Sequence, residues 1–235
     1  MRSIEILPTN TSPETLTELT QRTETLKEIS PWIQLDIADG VFVPVVSWPY
    51  QSGQWAELEV LSRGKKLPYS DSANYEVHLM VQKPREIGEL LARAGAKRIL
   101  GHAETFSGHG AVASAFSAWK AAGAEEVGLA FLLDTPLAEH ETQIAECDVV
   151  QLMSIATLGR QGATFEPKIV QRIQELHAKY PELTIEIDGG VSTDNIAELA
   201  RAGATRFGVG SAIMKSEEPK RAYETLKMAA ENALQ

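Results

Sequence analysis

Thr184-Ile185-Glu186-Ile187-Asp188-Gly189-Gly190-Val191-Ser192 is a short β-branched run that closes on an aspartate and two glycines. A stretch of helical period, 194–202, follows and ends in Ala202-Gly203-Ala204, directly before another short apolar run at 206–208. Strand, helix and strand in that order predict a parallel pair joined by a crossover helix. The same alternation fills the chain. Candidate strands lie at 4–8, 32–36, 75–79, 98–102, 126–130, 149–152, 184–188 and 206–208, and helical stretches include 84–94, 111–122, 168–180, 194–202 and 219–233. Eight strands in 235 residues allow about 29 residues per unit, the length of a strand with its crossover helix. Ala94-Gly95-Ala96 and Ala122-Gly123-Ala124 repeat the Ala-Gly-Ala of 202–204, with a glycine able to take the left-handed conformation that ends a helix. A doubly wound open sheet would use those glycines equally well. The count of eight favours class α/β and a single (βα)8 TIM barrel, one domain over 1–235. The irregular stretch 45–74, with Trp48-Pro49-Tyr50 and Ser52-Gly53-Gln54, predicts a long second loop carrying a short helix near 55–62.

Composition narrows the function. Lys and Arg number 22 against 32 Asp and Glu, a net charge of −10, so a basic face for nucleic acid is not expected. Hydrophobic residues at 43% and charged residues at 23% are those of a folded globular chain, which excludes disorder and a coiled coil. Cys147 stands alone, so no intrachain disulfide or cysteine metal cluster can form. No apolar stretch has transmembrane length, and Glu5 stands where a secretory signal would turn apolar. A cytoplasmic location without a membrane partner is expected.

In a parallel barrel the carboxyl ends of the strands share one face, where polar side chains mark a site. The second strand closes on Gln34-Leu35-Asp36, the third on His78-Leu79-Met80 and the seventh on Asp188. Alternation puts Gln34 and Asp36 on one side of their strand. Two carboxylates and an imidazole at a common mouth suit a divalent cation, whose charge offsets the repulsion between the acids. Taken singly, Asp36 can equally start a turn or cap a helix, and His78 can be a hydrogen-bonded core residue. Gly189 and Gly190 after the seventh strand, and Gly208-Val209-Gly210-Ser211 after the eighth, can offer backbone N–H groups to an anion. Barrels commonly hold a substrate phosphate there, although such glycines also serve plain strand-to-helix turns.

Leu35-Asp36-Ile37-Ala38-Asp39-Gly40-Val41-Phe42-Val43-Pro44, Val77-His78-Leu79-Met80-Val81, Leu152-Met153-Ser154, Ile185-Glu186-Ile187-Asp188-Gly189-Gly190-Val191 and Gly210-Ser211-Ala212-Ile213-Met214 resemble, in order, the signature segments of the ribulose-phosphate 3-epimerase family. The resemblance spans roughly residues 6–230. It implies a (βα)8 barrel that inverts the carbon beside the ketone of a ketose phosphate, ribulose 5-phosphate to xylulose 5-phosphate, with two aspartates and a divalent metal: zinc, manganese, iron or magnesium. By that resemblance Asp36 and Asp188 are the acid/base pair and bind the metal with His78. Met80 and Met153 line the pocket, Gly162, Gly189, Gly190, Gly210 and Ser211 contact substrate or phosphate, and the chain self-associates as a homo-oligomer. Inversion needs two proton carriers, and the metal must polarise the carbonyl because a proton beside a ketone is too weakly acidic for an unaided carboxylate.

The departures from the family cluster at the site. Gln34 stands where the family has a metal-binding histidine; its amide oxygen can ligate a hard cation or contact substrate directly. Ala38 replaces a methionine, which widens the pocket, and Val45 replaces an asparagine. Thr9 is a stand-in for a serine after the first strand. Ala156-Thr157-Leu158-Gly159-Arg160-Gln161-Gly162-Ala163-Thr164-Phe165 replaces a proline-led phosphate loop, with Gly162 and Arg160 as candidate contacts. His102 and Glu104 match a family His and Glu pair and read as pocket-wall or structural residues. An Asp-x-Lys-x-x-Asp decarboxylase array is excluded, because Ala38 occupies the lysine position. A non-catalytic sugar-phosphate-binding barrel, and an epimerase of a hexulose phosphate, are the alternatives these departures leave open.

Overall fold

The computed structural model describes residues 3–158 and 164–235. Eight parallel strands close into a barrel in chain order: β1 (Glu5–Asn10), β2 (Trp32–Ala38), β3 (Asn74–Met80), β4 (Arg98–His102), β5 (Glu126–Phe131), β6 (Val149–Met153), β7 (Thr184–Asp188) and β8 (Arg206–Val209). β8 pairs with β1, which excludes the open sheet. The helices are α1 (Leu16–Leu26), α2 (Trp55–Val60), α3 (Pro84–Arg93), α4 (His109–Ala122), α5 (Glu141–Ile144), α6 (Ile169–Lys179), α7 (Ile196–Ala202), α8 (Ser211–Met214) and α9 (Pro219–Asn232). The short helix expected near 55–62 is present as α2, which runs on into a π-helical turn over Leu61–Lys65.

The end of β1 differs from the sequence reading, which stops it at Pro8. Proline has no N–H for a ladder and so reads as a strand end. In the barrel Pro8 lies where the strand changes partner: residues 5–8 face β8, while Thr9 and Asn10 face β2. Asn10 secures the extension by donating to the Leu19 carbonyl at 3.2 Å and to Thr23 Oγ1 at 3.3 Å on α1.

Alternation then divides the side chains into two cores. Leu35, Ile37, Val77, Leu79, Ile185 and Ile187 point outward and pack with helix residues such as Leu19, Ile87, Trp119, Ile173 and Leu199. Inward positions are largely polar, with Gln34 beneath Asp36, Glu76 beneath His78 and Glu186 beneath Asp188. At the floor, Arg206 donates to Glu5 at 2.8 Å, Glu76 at 3.1 Å and Glu126 at 2.9 Å. Arg98 donates to Glu5 at 2.9 and 3.2 Å, and its guanidinium lies 3.5 Å from the Trp32 ring centre. Burial, reinforced by the neighbouring Glu76, raises the Glu186 carboxyl well above the usual range and favours its protonated form.

Removing one partner of a buried ion cluster strands the others without compensation. Arg206→Met is therefore expected to lower unfolding free energy by about 3–5 kcal/mol, read from urea unfolding.

Candidate active site

Asp36 on β2, His78 on β3 and Asp188 at the end of β7 converge at the barrel mouth. His78 Nδ1 lies 3.2 Å from Asp36 Oδ1 and 3.4 Å from Asp188 Oδ2. The three residues offer ligand atoms that all lie within 4.8 Å of one another. Gln34 rises between them: its Nε2 donates to Asp36 Oδ1 at 3.2 Å and to Asp188 Oδ2 at 3.1 Å, and lies 3.5 Å from His78 Nδ1. Gly208 makes the room, since a Cβ there would stand 2.2 Å from Gln34 Oε1. That amide oxygen is buried and has no hydrogen-bond partner among the described residues. Gln151 on β6, which the sequence reading passed over, donates to the same Asp188 oxygen at 3.0 Å. Its position two residues before Met153 was the available signal, because alternation sends both inward.

The charges at this point are strongly coupled. Burial raises the Asp36 carboxyl above its ordinary range; the Asp188 charge adds to this, and the hydrogen bond from His78 opposes it. Burial alone would discharge His78, but hydrogen bonds to Asp188 and Asp36, and their charges, lift it to about 9. The imidazolium is then the cation shared by the two acids in the metal-free protein. Behind it, His78 Nε2 meets His102 Nε2 at 2.9 Å, and His102 Nδ1 meets Glu104 Oε2 at 3.2 Å. Burial lowers His102 to about 4. Burial would raise Glu104, but hydrogen bonds from His102, the Thr135 hydroxyl and the Leu132 N–H hold it at about 2.

Ala38, Met80 and Met153 stand one inward step beyond these polar groups and form a buried apolar cluster with Val43, Ile155 and Leu158. Phe42, Val45 and Leu132 pack on it, and the Phe42 ring centre lies 4.6 Å from that of His102. This roof leaves the Asp36 and Asp188 side chains 7% and 15% exposed, nearly out of water. Asp39, two residues before the loop valines, is occupied structurally: its carboxylate accepts from the backbone N–H groups of Val41, Phe42 and Gln82 at 2.7–2.9 Å, tying the second loop to the third.

The glycine turns lie on the same face. Gly189 and Gly190 have φ of 108° and 66°, and a Cβ on Gly190 would press on Phe165 at 3.0 Å. The Ser154 hydroxyl bonds the Asp188 carbonyl at 3.1 Å and also the Gly189 carbonyl, while Asn195 bonds the Gly190 carbonyl and the Ser192 N–H, each at 2.9 Å. Gly210 precedes α8, and Ser211 is its first residue. Thr9 lies within β1 rather than after it, its hydroxyl 3.0 Å from that of Thr11. Gly162 and Arg160 fall outside the described residues.

The model of the ribulose-phosphate 3-epimerase family matches residues 10–214. The chain belongs to that family. Ribulose-phosphate 3-epimerase of Oryza sativa subsp. japonica, cytoplasmic isoform, is 30% identical over 206 residues, covering 86% of this chain and 83% of the relative. The Escherichia coli K12 enzyme of the same name is 34% identical over 163 residues, 68% of this chain and 70% of its own. The crystal structure of 3-hexulose-6-phosphate synthase from Salmonella typhimurium shares the fold, with a TM-score of 0.67 over 98% of this chain and 100% of that one at 15% identity. The chain is thus a member of a family of carbohydrate epimerases. Among the described residues no helix is long and apolar enough to cross a membrane.

In the folded state the His78 pKa of about 9 lies above its ordinary 6.5, so the stabilisation it supplies is complete below pH 6.5 and is lost as pH rises through 9. Urea unfolding of the metal-free protein is expected to show a loss on the order of 3 kcal/mol across that window, absent in His78→Gln.

Proposed function

We propose that the protein is a metal-dependent epimerase of a ketose phosphate, interconverting ribulose 5-phosphate and xylulose 5-phosphate by proton transfer between Asp36 and Asp188. One observation carries the reading: carboxylates from β2 and β7 bring oxygens to within 3.2 and 3.4 Å of a single imidazole nitrogen. The donor set fits a divalent cation. Asp36, His78 and Asp188 each offer a ligand atom, and these lie within 4.8 Å of one another. Asp36, His78 and Asp188 would hold the ion, with Gln34 turning its partnerless Oε1 toward it. Two carboxylates and an amide oxygen against one imidazole favour manganese or magnesium over zinc. When bound, the ion polarises the ketone and offsets the negative charge that develops on the substrate oxygens.

The chain's own residues supply the remaining chemistry. One aspartate takes the proton from one face of the carbon beside the ketone, while the other, already protonated, delivers a proton to the opposite face. The proton count is unchanged and the configuration inverts. Burial of Asp36, with Asp188 close by, favours one protonated and one ionised acid over two ionised ones. The apolar roof of Met80, Met153 and Ile155 keeps water from the planar intermediate. Backbone N–H groups around Gly189, Gly190 and Gly210, with Ser211, suit the phosphate.

The test is wash-in of solvent deuterium at the carbon beside the ketone, followed by NMR with manganese present, on ribulose 5-phosphate and on a hexulose 6-phosphate. Exchange is expected with the pentulose phosphate, and Asp188→Asn should slow it by about a hundred- to ten-thousand-fold. Gln34→His is expected to move metal preference toward zinc, read by competition between the two ions. Absence of exchange with every ketose phosphate overturns the reading in favour of a binding barrel.

A further inference from the structure

His78 has two faces, and the one turned from the acids meets a second imidazole. With His78 Nε2 and His102 Nε2 2.9 Å apart, one nitrogen carries the hydrogen and the other accepts it. The far side of His102 decides which. Its Nδ1 faces Glu104 Oε2 at 3.2 Å, and Glu104 Oε1 already accepts from the Leu132 N–H at 2.9 Å and from the Thr135 hydroxyl. An ionised carboxylate only accepts, so the hydrogen of that contact sits on His102 Nδ1. Neutral His102 then presents a bare Nε2, which accepts from His78 Nε2–H. With its hydrogen committed there, Nε2 of His78 is closed to a cation, and Nδ1 is the nitrogen left to face Asp36 and Asp188. The reverse assignment would set a bare His102 nitrogen against a carboxylate oxygen at 3.2 Å, two acceptors facing each other in a half-buried contact.

We propose that Glu104, acting through His102, fixes which nitrogen of His78 is left for a cation beside the two aspartates, and is thereby the positioning residue of the cation site. The proposal rests on the cation-dependent reading of that site. Glu104 touches neither acid. Its own orientation is set by a backbone N–H and a hydroxyl that follow β5, so the chain of bonds runs from β3 through β4 to a rigid main-chain donor. The Phe42 ring, tilted 43° against His102 with centres 4.6 Å apart, covers the imidazole. Ligating histidines generally owe their tautomer to a partner on the other ring nitrogen; here that partner is another histidine, and a carboxylate sets it in turn.

Glu104→Gln tests this without a change of shape. The Leu132 N–H requires an acceptor, so the amide oxygen takes that side and the NH2 group faces His102 Nδ1. The hydrogens of the chain then reverse. In metal-free protein, 15N-edited NMR of the imidazoles is expected to find His102 with hydrogen on Nδ1 in the parent and on Nε2 in Glu104→Gln. Near neutral pH, His78 should carry hydrogen on both nitrogens in the parent and on Nδ1 alone in Glu104→Gln. Zinc affinity, read by competition with a chromophoric chelator, should fall about ten- to a hundred-fold at unchanged thermal midpoint. A parent spectrum with hydrogen on His102 Nε2 overturns the proposal, and needs no variant to fold. So does a variant whose tautomers and zinc affinity match the parent. A parent that shows the expected tautomers yet binds no zinc or manganese supports the hydrogen-bond polarity and instead overturns the metal-dependent reading.

Discussion

Two carboxylates brought close together out of water are the constraint around which this barrel is organised. At the 4.8 Å limit of the Asp36, His78 and Asp188 group, two like charges repel by about 3 kcal/mol at an effective dielectric of 20, before any cost of burial. Each neighbour acts against that repulsion. His78 lies between the acids as a cation, Gln34 and Gln151 turn amide hydrogens to them, and burial favours the protonated form of Glu186 one step below. A divalent ion in the same place would do more than any of these, and Asp36, His78 and Asp188 offer three ligand atoms within 4.8 Å of one another.

The arrangement bears on the choice between a catalyst and a binding barrel. Buried acids are a liability to stability, and apolar residues of similar volume commonly replace such groups at no loss. A protein that held only a phosphate would need the glycine turns after β7 and β8 and neither acid. Here both acids converge beneath an apolar roof, where water is excluded and proton transfer is well served.

The polar interior continues to the floor. Glu76 and Glu186 join the site to a buried cluster around Arg206 and Arg98, so an inward face that a barrel could fill with Val, Ile and Leu is instead ionic and amide-rich. Close approaches make this possible, such as that of Gln34 over the bare Cα of Gly208. The same layer that supports the acids from below thus also holds strands β1, β3, β5 and β8 together through Arg206.

Much of this was legible in the chain itself. The alternation of short β-branched runs with helical stretches marked eight units, and period-two alternation put Gln34 with Asp36 and located the polar strand ends, because these signals are local and repeat along the chain. Pro8 misled for the same local reason, since only closure of the barrel shows that β1 changes partner there. Glu76, Glu186 and Gln151 had the right parity but no signal separating them from ordinary strand residues. The tertiary structure alone decided that Gln34 and Asp188, 154 residues apart, share a hydrogen bond, and that His78 leans on His102 and Glu104. It also decided that Arg206 answers Glu5 across 201 residues. Such contacts depend on shear and closure of the sheet, which place strands distant in sequence side by side, and no periodicity within one strand encodes which partner it will meet.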